Sequence, residues 1–202
     1  MQQWDYRLFS AINSMAGQSR FLDTFMTAIA KWGPIFYGLI LLVLFFGSKD
    51  FNRKTENRKT VIKAVLAAGV SLLMNQIIGF TYFRPRPFLT HHVHLLLDRS
   101  PDPSFPSDHA TGASSLSFTV LSANPVIGVL MLLFMILLMV SRVFVGTHYP
   151  LDVIGGMMTG ILGSYLVHKL WPFCDGLVTK LLDLWETSTV KVFGRSANSH
   201  QE

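Results

Sequence analysis

Apolar residues along this chain gather in blocks of membrane-crossing length. A crossing helix needs about 20 mostly apolar residues. Five blocks reach or approach that length: 29–46, 61–82, 108–122, 125–145 and 151–171. The third is short and rich in Ser and Thr, and the fourth is the most continuous. Ahead of them, 5–28 alternates with helical period. Leu8, Phe9 and Ile12 form one stripe, and Leu22, Phe25, Met26 and Ile29 another. The pattern predicts amphipathic interfacial helices joined by a turn at Gly17-Gln18-Ser19. A sixth, weakly hydrophobic span is the alternative. Behind the last block, Leu177, Leu181, Leu184 and Trp185 share a face that excludes Lys180 and Lys191. This predicts an interfacial helix over 174–195 and a disordered tail over 196–202. The expected fold is all-α: one polytopic membrane bundle over 1–202, with five or six spans.

Composition agrees. Half of the 202 residues are hydrophobic and only 14% are charged, where soluble domains carry about 25%. Cys174 is alone, so no internal disulfide can form. The start, MQQWDYRLFS, has no basic stretch leading into an apolar one, so no cleaved signal is expected. The net charge of +5 reads as topology and headgroup contact, not as nucleic-acid binding. Lys49, Arg53, Lys54, Arg58 and Lys59 outweigh Asp50 and Glu56 between the first two blocks. The positive-inside rule puts that loop in the cytoplasm. Counting spans from there brings three polar motifs to one outer face.

These motifs are Arg84-Pro85-Arg86-Pro87, Pro106-Ser107-Asp108-His109, and Ser141-Arg142 followed by His148 and Asp152. The prolines stiffen the first motif, which can present guanidinium groups or simply anchor to headgroups. Ser107 suits an N-cap, and the amides after it, starting at Asp108, suit a phosphate. His109 in the first turn can donate a proton; a capping Ser beside an interfacial His is the plain alternative. Arg142 lies just inside an apolar block, where a central charge would cost about 2–3 kcal/mol. It either snorkels or grips phosphate oxygens as a fork. The spacing of His148 and Asp152 across Pro150 brings the carboxylate towards one imidazole nitrogen and leaves the other free as a nucleophile. A surface His beside a capping carboxylate is the alternative.

Taken together, the Arg-Pro, Pro-Ser-x-His and SRVFVGTHYPLD segments resemble the three-part signature of the type-2 phosphatidic acid phosphatase family. Within it, the Ser-Asp-His variant and the start FSAINSMAG…LD are most similar to the bacitracin-resistance type of undecaprenyl-diphosphate phosphatase. The resemblance covers roughly 5–170. The family's first motif opens with a Lys. Its place is taken here by Gly79, counting from Arg86, or by Ile77, counting from Arg84.

The resemblance implies a metal-free, cofactor-free phosphohistidine mechanism. His148 would attack phosphorus, Asp152 would orient it, and His109 would protonate the leaving group. Arg86, Arg142, Ser107 and the amides from Asp108 onward would bind the oxygens, with Arg84 as the group that could replace the missing Lys. The implied partners are a polyprenyl diphosphate lipid and the bilayer. The implied role is turning undecaprenyl diphosphate into undecaprenyl phosphate at the outer face of a bacterial plasma membrane, recycling the cell-wall lipid carrier and conferring bacitracin resistance. Phosphatidic acid or phosphatidylglycerol phosphate hydrolysis, lipid phosphotransfer, and a non-catalytic transporter or scaffold are the alternatives. The residues themselves raise three side issues. His91, His92 and His94 read as a solvated loop rather than a metal site. Asn75 and Gln76 read as interhelical hydrogen bonds, and Gly156-x-x-x-Gly160 as a close-packing face.

Overall fold

The computed structural model describes residues 3–198, with side chains placed for 3–50 and 52–188. Among these residues there are seven helices and no strand: α1 (Gln3–Asn13), α2 (Arg20–Phe46), α3 (Phe51–Thr81), α4 (Pro87–Thr90), α5 (Asp108–Ala123), α6 (Pro125–Phe144) and α7 (Pro150–Asn198). Four of them, α2, α3, α6 and α7, are long and apolar enough to cross a membrane. The expected all-α membrane bundle is therefore what the chain forms.

The Ser- and Thr-rich block is the exception to simple hydropathy. Helix α5 has 16 residues, roughly 24 Å of rise against a hydrocarbon core of about 30 Å. It packs against α3, α6 and α7 and so lies at the middle of the bundle. Three of its hydroxyls are satisfied locally, while Ser115 Oγ is buried without a partner among the described residues. Ser114 donates to the carbonyl of Ala110 at 2.6 Å, Ser117 to that of Ala113 at 2.7 Å and Thr119 to that of Ser115 at 2.8 Å. Bonded this way, a polar helix tolerates an apolar surrounding.

Helix α7 reaches α5 through glycine. A Cβ on Gly156 would lie 2.5 Å from the carbonyl oxygen of Ser107, and one on Gly160 would lie 2.5 Å from that of Thr111. No side chain fits at either position. The Gly156-x-x-x-Gly160 face thus sets the height of the α5 N-terminus against the start of α7. Asn75 of α3 locks the same layer. It donates to Asp108 at 2.9 Å and to Thr111 at 2.8 Å, and accepts from Thr159 at 2.9 Å. This is the interhelical role expected for Asn75.

Both ends differ from expectation. The stripe at 22–29 is not a separate interfacial helix; it is the start of α2, whose Leu22 and Met26 pack on Phe144, Val145 and Ala30. At 11 residues, about 16 Å, α1 is too short to span. Nor does it merely float on lipid. Phe9 is buried against Val143, Tyr149 and Val153, and the Asn13 side chain donates to the carbonyls of Phe144 (2.8 Å) and His94 (2.9 Å). The expected helix over 174–195 is the continuation of α7 rather than a separate element. Arg58 of α3 explains the continuity. It is buried between the rings of Phe45 and Trp185 and pairs with Glu186, while Lys59 holds Asp175 at 3.2 Å. The expected tail begins inside α7, and 199–202 lie outside the described residues.

Gly160→Leu should force α7 away from α5. Overpacking of this kind costs about 1–3 kcal/mol, so the thermal midpoint in detergent should fall. A variant as stable as wild type would contradict the close approach.

Candidate active site

The three motifs meet at one end of the bundle, where α3 and α6 finish and α5 and α7 begin. Gly146 turns the chain from α6 to α7 with a left-handed φ of 85°, a conformation that Gly adopts without steric cost. Thr147 completes the turn, its hydroxyl donating to the carbonyl of Arg142 at 2.9 Å. His148 follows and is buried.

The His148 ring is held by a carbonyl. Nδ1 lies 2.8 Å from the carbonyl oxygen of Ser104. A carbonyl only accepts, so Nδ1 carries the hydrogen and Nε2 carries the lone pair, which accepts from Arg86. Nε2 lies 3.3 Å from Nη1 of Arg86. Burial, and then the positive charges of Arg142 and Arg86, push the His148 pKa well below its ordinary value. The ring is thus neutral and faces a guanidinium.

A cavity of roughly 370 Å³ opens beside it, lined by Arg86, Arg142, His109, Thr147 and His148 among others. Arg86 is anchored at both ends: Nε donates to the carbonyl of Asp102 at 3.0 Å and Nη1 to that of Thr147 at 3.3 Å. Burial lowers its pKa. Arg142 owes its position to a proline. Pro34, inside α2, has no N–H, so the carbonyl four residues back is released. That carbonyl belongs to Ala30 and accepts from Arg142 Nη1 at 3.3 Å. Among the described residues, Nε of Arg142 is buried without a partner, and so is Oγ of Ser107. Buried polar atoms are nearly always bonded, so two orphans in one constellation point to an anion that fills the site. Ser107 stands at the N-cap position of α5, yet its side chain makes no capping bond. Its hydroxyl is therefore available to a ligand, contrary to the capping role expected of it. The Asp108 carboxylate turns away to Asn75, leaving the first amides of α5 as its contribution.

Asp152 and Arg84 depart from expectation. Asp152 Oδ2 lies 3.9 Å from Nδ1 of His148, too far for a hydrogen bond. The carboxylate accepts instead from the Ser104 hydroxyl at 2.5 Å and the Tyr149 amide at 2.8 Å. Ser104 therefore joins the two, with its hydroxyl on Asp152 and its carbonyl on His148. Arg84 does not line the cavity. It sits between two fully buried carboxylates, donating to Asp152 at 2.5 Å and to Asp5 at 2.6 Å, over the Tyr149 ring. Burial would lower its pKa, but Asp152 and Asp5 outweigh burial and raise it. Opposite charges on both sides hold Arg84 beside the site and outside the cavity lining. Asp5 also accepts the Leu151 amide at 3.0 Å, in the first turn of α7.

Ser104 and Asp5 carry no signal in the sequence, since neither lies in a motif. The histidine loop does other work: His91 stacks on Tyr6 at 4.0 Å, and the His94 amide donates to Asn13 at 2.9 Å. Among the described residues no group of three His, Cys, Asp or Glu side chains could hold a metal.

The model of the PAP2 superfamily matches residues 60–174. The chain belongs to the PAP2 superfamily. It is 37% identical over 179 residues to the undecaprenyl-diphosphatase BcrC of Bacillus subtilis (strain 168), covering 86% of this chain and 90% of that one. It is 31% identical to the bacitracin transport permease protein BcrC of Bacillus licheniformis, over 88% of this chain and 85% of that one. Among solved structures, that of Aquifex aeolicus LpxE superposes with a TM-score of 0.68 at 24% identity, over 83% of this chain and 96% of that one. That likeness concerns the fold. As a PAP2 protein with membrane-crossing helices, this chain is a multi-pass membrane enzyme, a lipid phosphatase.

The Asp5–Arg84–Asp152 array orders two variants. Arg84→Met leaves two buried carboxylates without their cation and should cost about 3–5 kcal/mol of stability. Asp5→Asn leaves the Arg84–Asp152 pair intact and should cost less. Thermal unfolding of both in detergent checks the order, and a larger loss for Asp5→Asn would refute it.

Proposed function

We propose that this chain is an outward-facing lipid diphosphate phosphatase that converts undecaprenyl diphosphate to undecaprenyl phosphate and inorganic phosphate, recycling the cell-wall lipid carrier and conferring bacitracin resistance. The observation that carries the chemistry is the unprotonated Nε2 of a buried, neutral His148, held 3.3 Å from Arg86. The unpartnered Arg142 Nε and Ser107 Oγ support it. The relatives named undecaprenyl-diphosphatase support the substrate.

In this reading the terminal phosphoryl group lies among Arg86, Arg142, Ser107 and the α5 amides. His148 Nε2 attacks phosphorus as the bond to the bridging oxygen breaks, with that electron pair passing to the leaving lipid phosphate. His109 supplies a proton where the leaving oxygen needs one. Asp152 acts through Ser104: it fixes the hydroxyl whose residue holds Nδ1, and its charge favours the imidazolium-like ring of the phosphohistidine. Water, activated by His109 as a base, then attacks phosphorus and frees His148. The guanidinium groups and helix amides supply the positive field that a metal supplies elsewhere.

His148→Ala should abolish phosphate release from an isoprenyl diphosphate while the protein keeps its thermal midpoint, with the assay run in EDTA. Turnover within about tenfold of wild type, ~1.4 kcal/mol in barrier, would remove His148 from the nucleophile's role. A panel including phosphatidic acid and phosphatidylglycerol phosphate decides the lipid. The outward orientation rests on the basic loop between α2 and α3, at the bundle end away from the site. With Cys174 replaced by Ser, His92→Cys should react with an impermeant reagent on intact cells, and Lys49→Cys should not. The reverse pattern would turn the site inward.

A further inference from the structure

We propose that Lys31 binds the second phosphate of a lipid diphosphate, making this a two-phosphate site that distinguishes diphosphates from monophosphates; this rests on the diphosphatase reading above. Three cationic side chains line the cavity: Arg86, Arg142 and Lys31. Arg86 and Arg142 are buried and surround the nucleophile. Lys31 is exposed, at the α2 rim of the same cavity. It follows Ala30, whose carbonyl holds Arg142, so the two cations share one level. From Trp32 to Phe46 no charged residue follows. Lys31 thus marks where α2 enters the hydrocarbon, the height at which a lipid's tail-proximal phosphate sits. Its ammonium rests 5.4 Å from the centre of the Trp32 ring, an exposed contact that a phosphate oxygen can replace. Asp98 and Asp102 also line the cavity, and their like charge disfavours a second phosphate beside them, leaving Lys31 as the exposed cation of the lining.

Charge balance gives Lys31 its chemical task. As His148 bonds to the terminal phosphorus, the bridging oxygen leaves with the bonding electrons. On a diphosphate it leaves as part of a lipid phosphate, whose added negative charge needs a fixed cation. On a monophosphate it leaves as an alkoxide, which needs a proton from His109 instead. Lys31 therefore acts on the first class and has little to do in the second.

The test compares farnesyl diphosphate with farnesyl phosphate, two substrates sharing one tail, in wild type, Lys31→Ala and Lys31→Arg. Loss of a charge-assisted contact predicts a fall in kcat/KM on the diphosphate of about 10- to 100-fold for Lys31→Ala. The monophosphate should change by less than about threefold, and Lys31→Arg should recover most of the loss, at an unaltered thermal midpoint. An equal fall on both substrates would make Lys31 a membrane anchor and overturn the proposal; so would no fall on the diphosphate. Wild type that hydrolyses the monophosphate but not the diphosphate would sink the diphosphatase reading, and the second-phosphate role with it.

Discussion

One guanidinium with a carboxylate on each side governs the site end of this molecule. Arg84 joins Asp5 of α1 to Asp152 of α7, both fully buried. In such surroundings a lone ionised carboxylate is untenable, so each acid requires the shared cation. Arg84 in turn is presented by a proline-stiffened segment leaving α3. Three distant stretches of chain are thereby pulled to one point. The position of His148 follows, because Asp152 fixes Ser104 and Ser104 fixes the ring.

That arrangement needs a firm floor, and α5 provides it. Its small residues let α7 approach until glycine alone fits between them. Larger apolar residues would have satisfied hydropathy but would have lifted the Ser107 amides away from His148. Polarity within α5 is thus the consequence of closeness: the smallest side chains include Ser and Thr, and their hydroxyls return to the helix backbone. The same logic applies to Pro34, a defect in α2 that supplies the acceptor holding Arg142.

Much of this was legible beforehand, and the limits have physical causes. Apolar block length identifies α2, α3, α6 and α7, because a bilayer imposes a minimum run. Motif spacing brought His148, His109, Arg86 and Arg142 into one cavity, because each lies at a helix end. Hydropathy does not join 22–29 to α2, since its first turns pack on protein with one face and read as amphipathic. Spacing alone gave Asp152 reach towards His148; it could not reveal that the Ser104 carbonyl occupies Nδ1 first. The pairing of Arg84 is illegible for a similar reason. Its partner Asp5 stands 79 residues earlier, in a helix whose pattern reads as interfacial, and no local pattern announces a pairing across that distance.

The reach of Asp5 also says when during its making the protein becomes an enzyme. The amide it accepts, that of Leu151, lies 146 residues downstream. At about 5–20 residues per second of synthesis, roughly 7 to 30 s separate the two. Until then Asp5 lacks both the Leu151 amide and the Arg84–Asp152 pair it joins. Arg86 and Arg142 are made before α7 begins, but His148 beside them lacks the Asp152–Ser104 link until the last long helix starts. The constellation around the cavity is among the last features the nascent chain can assemble.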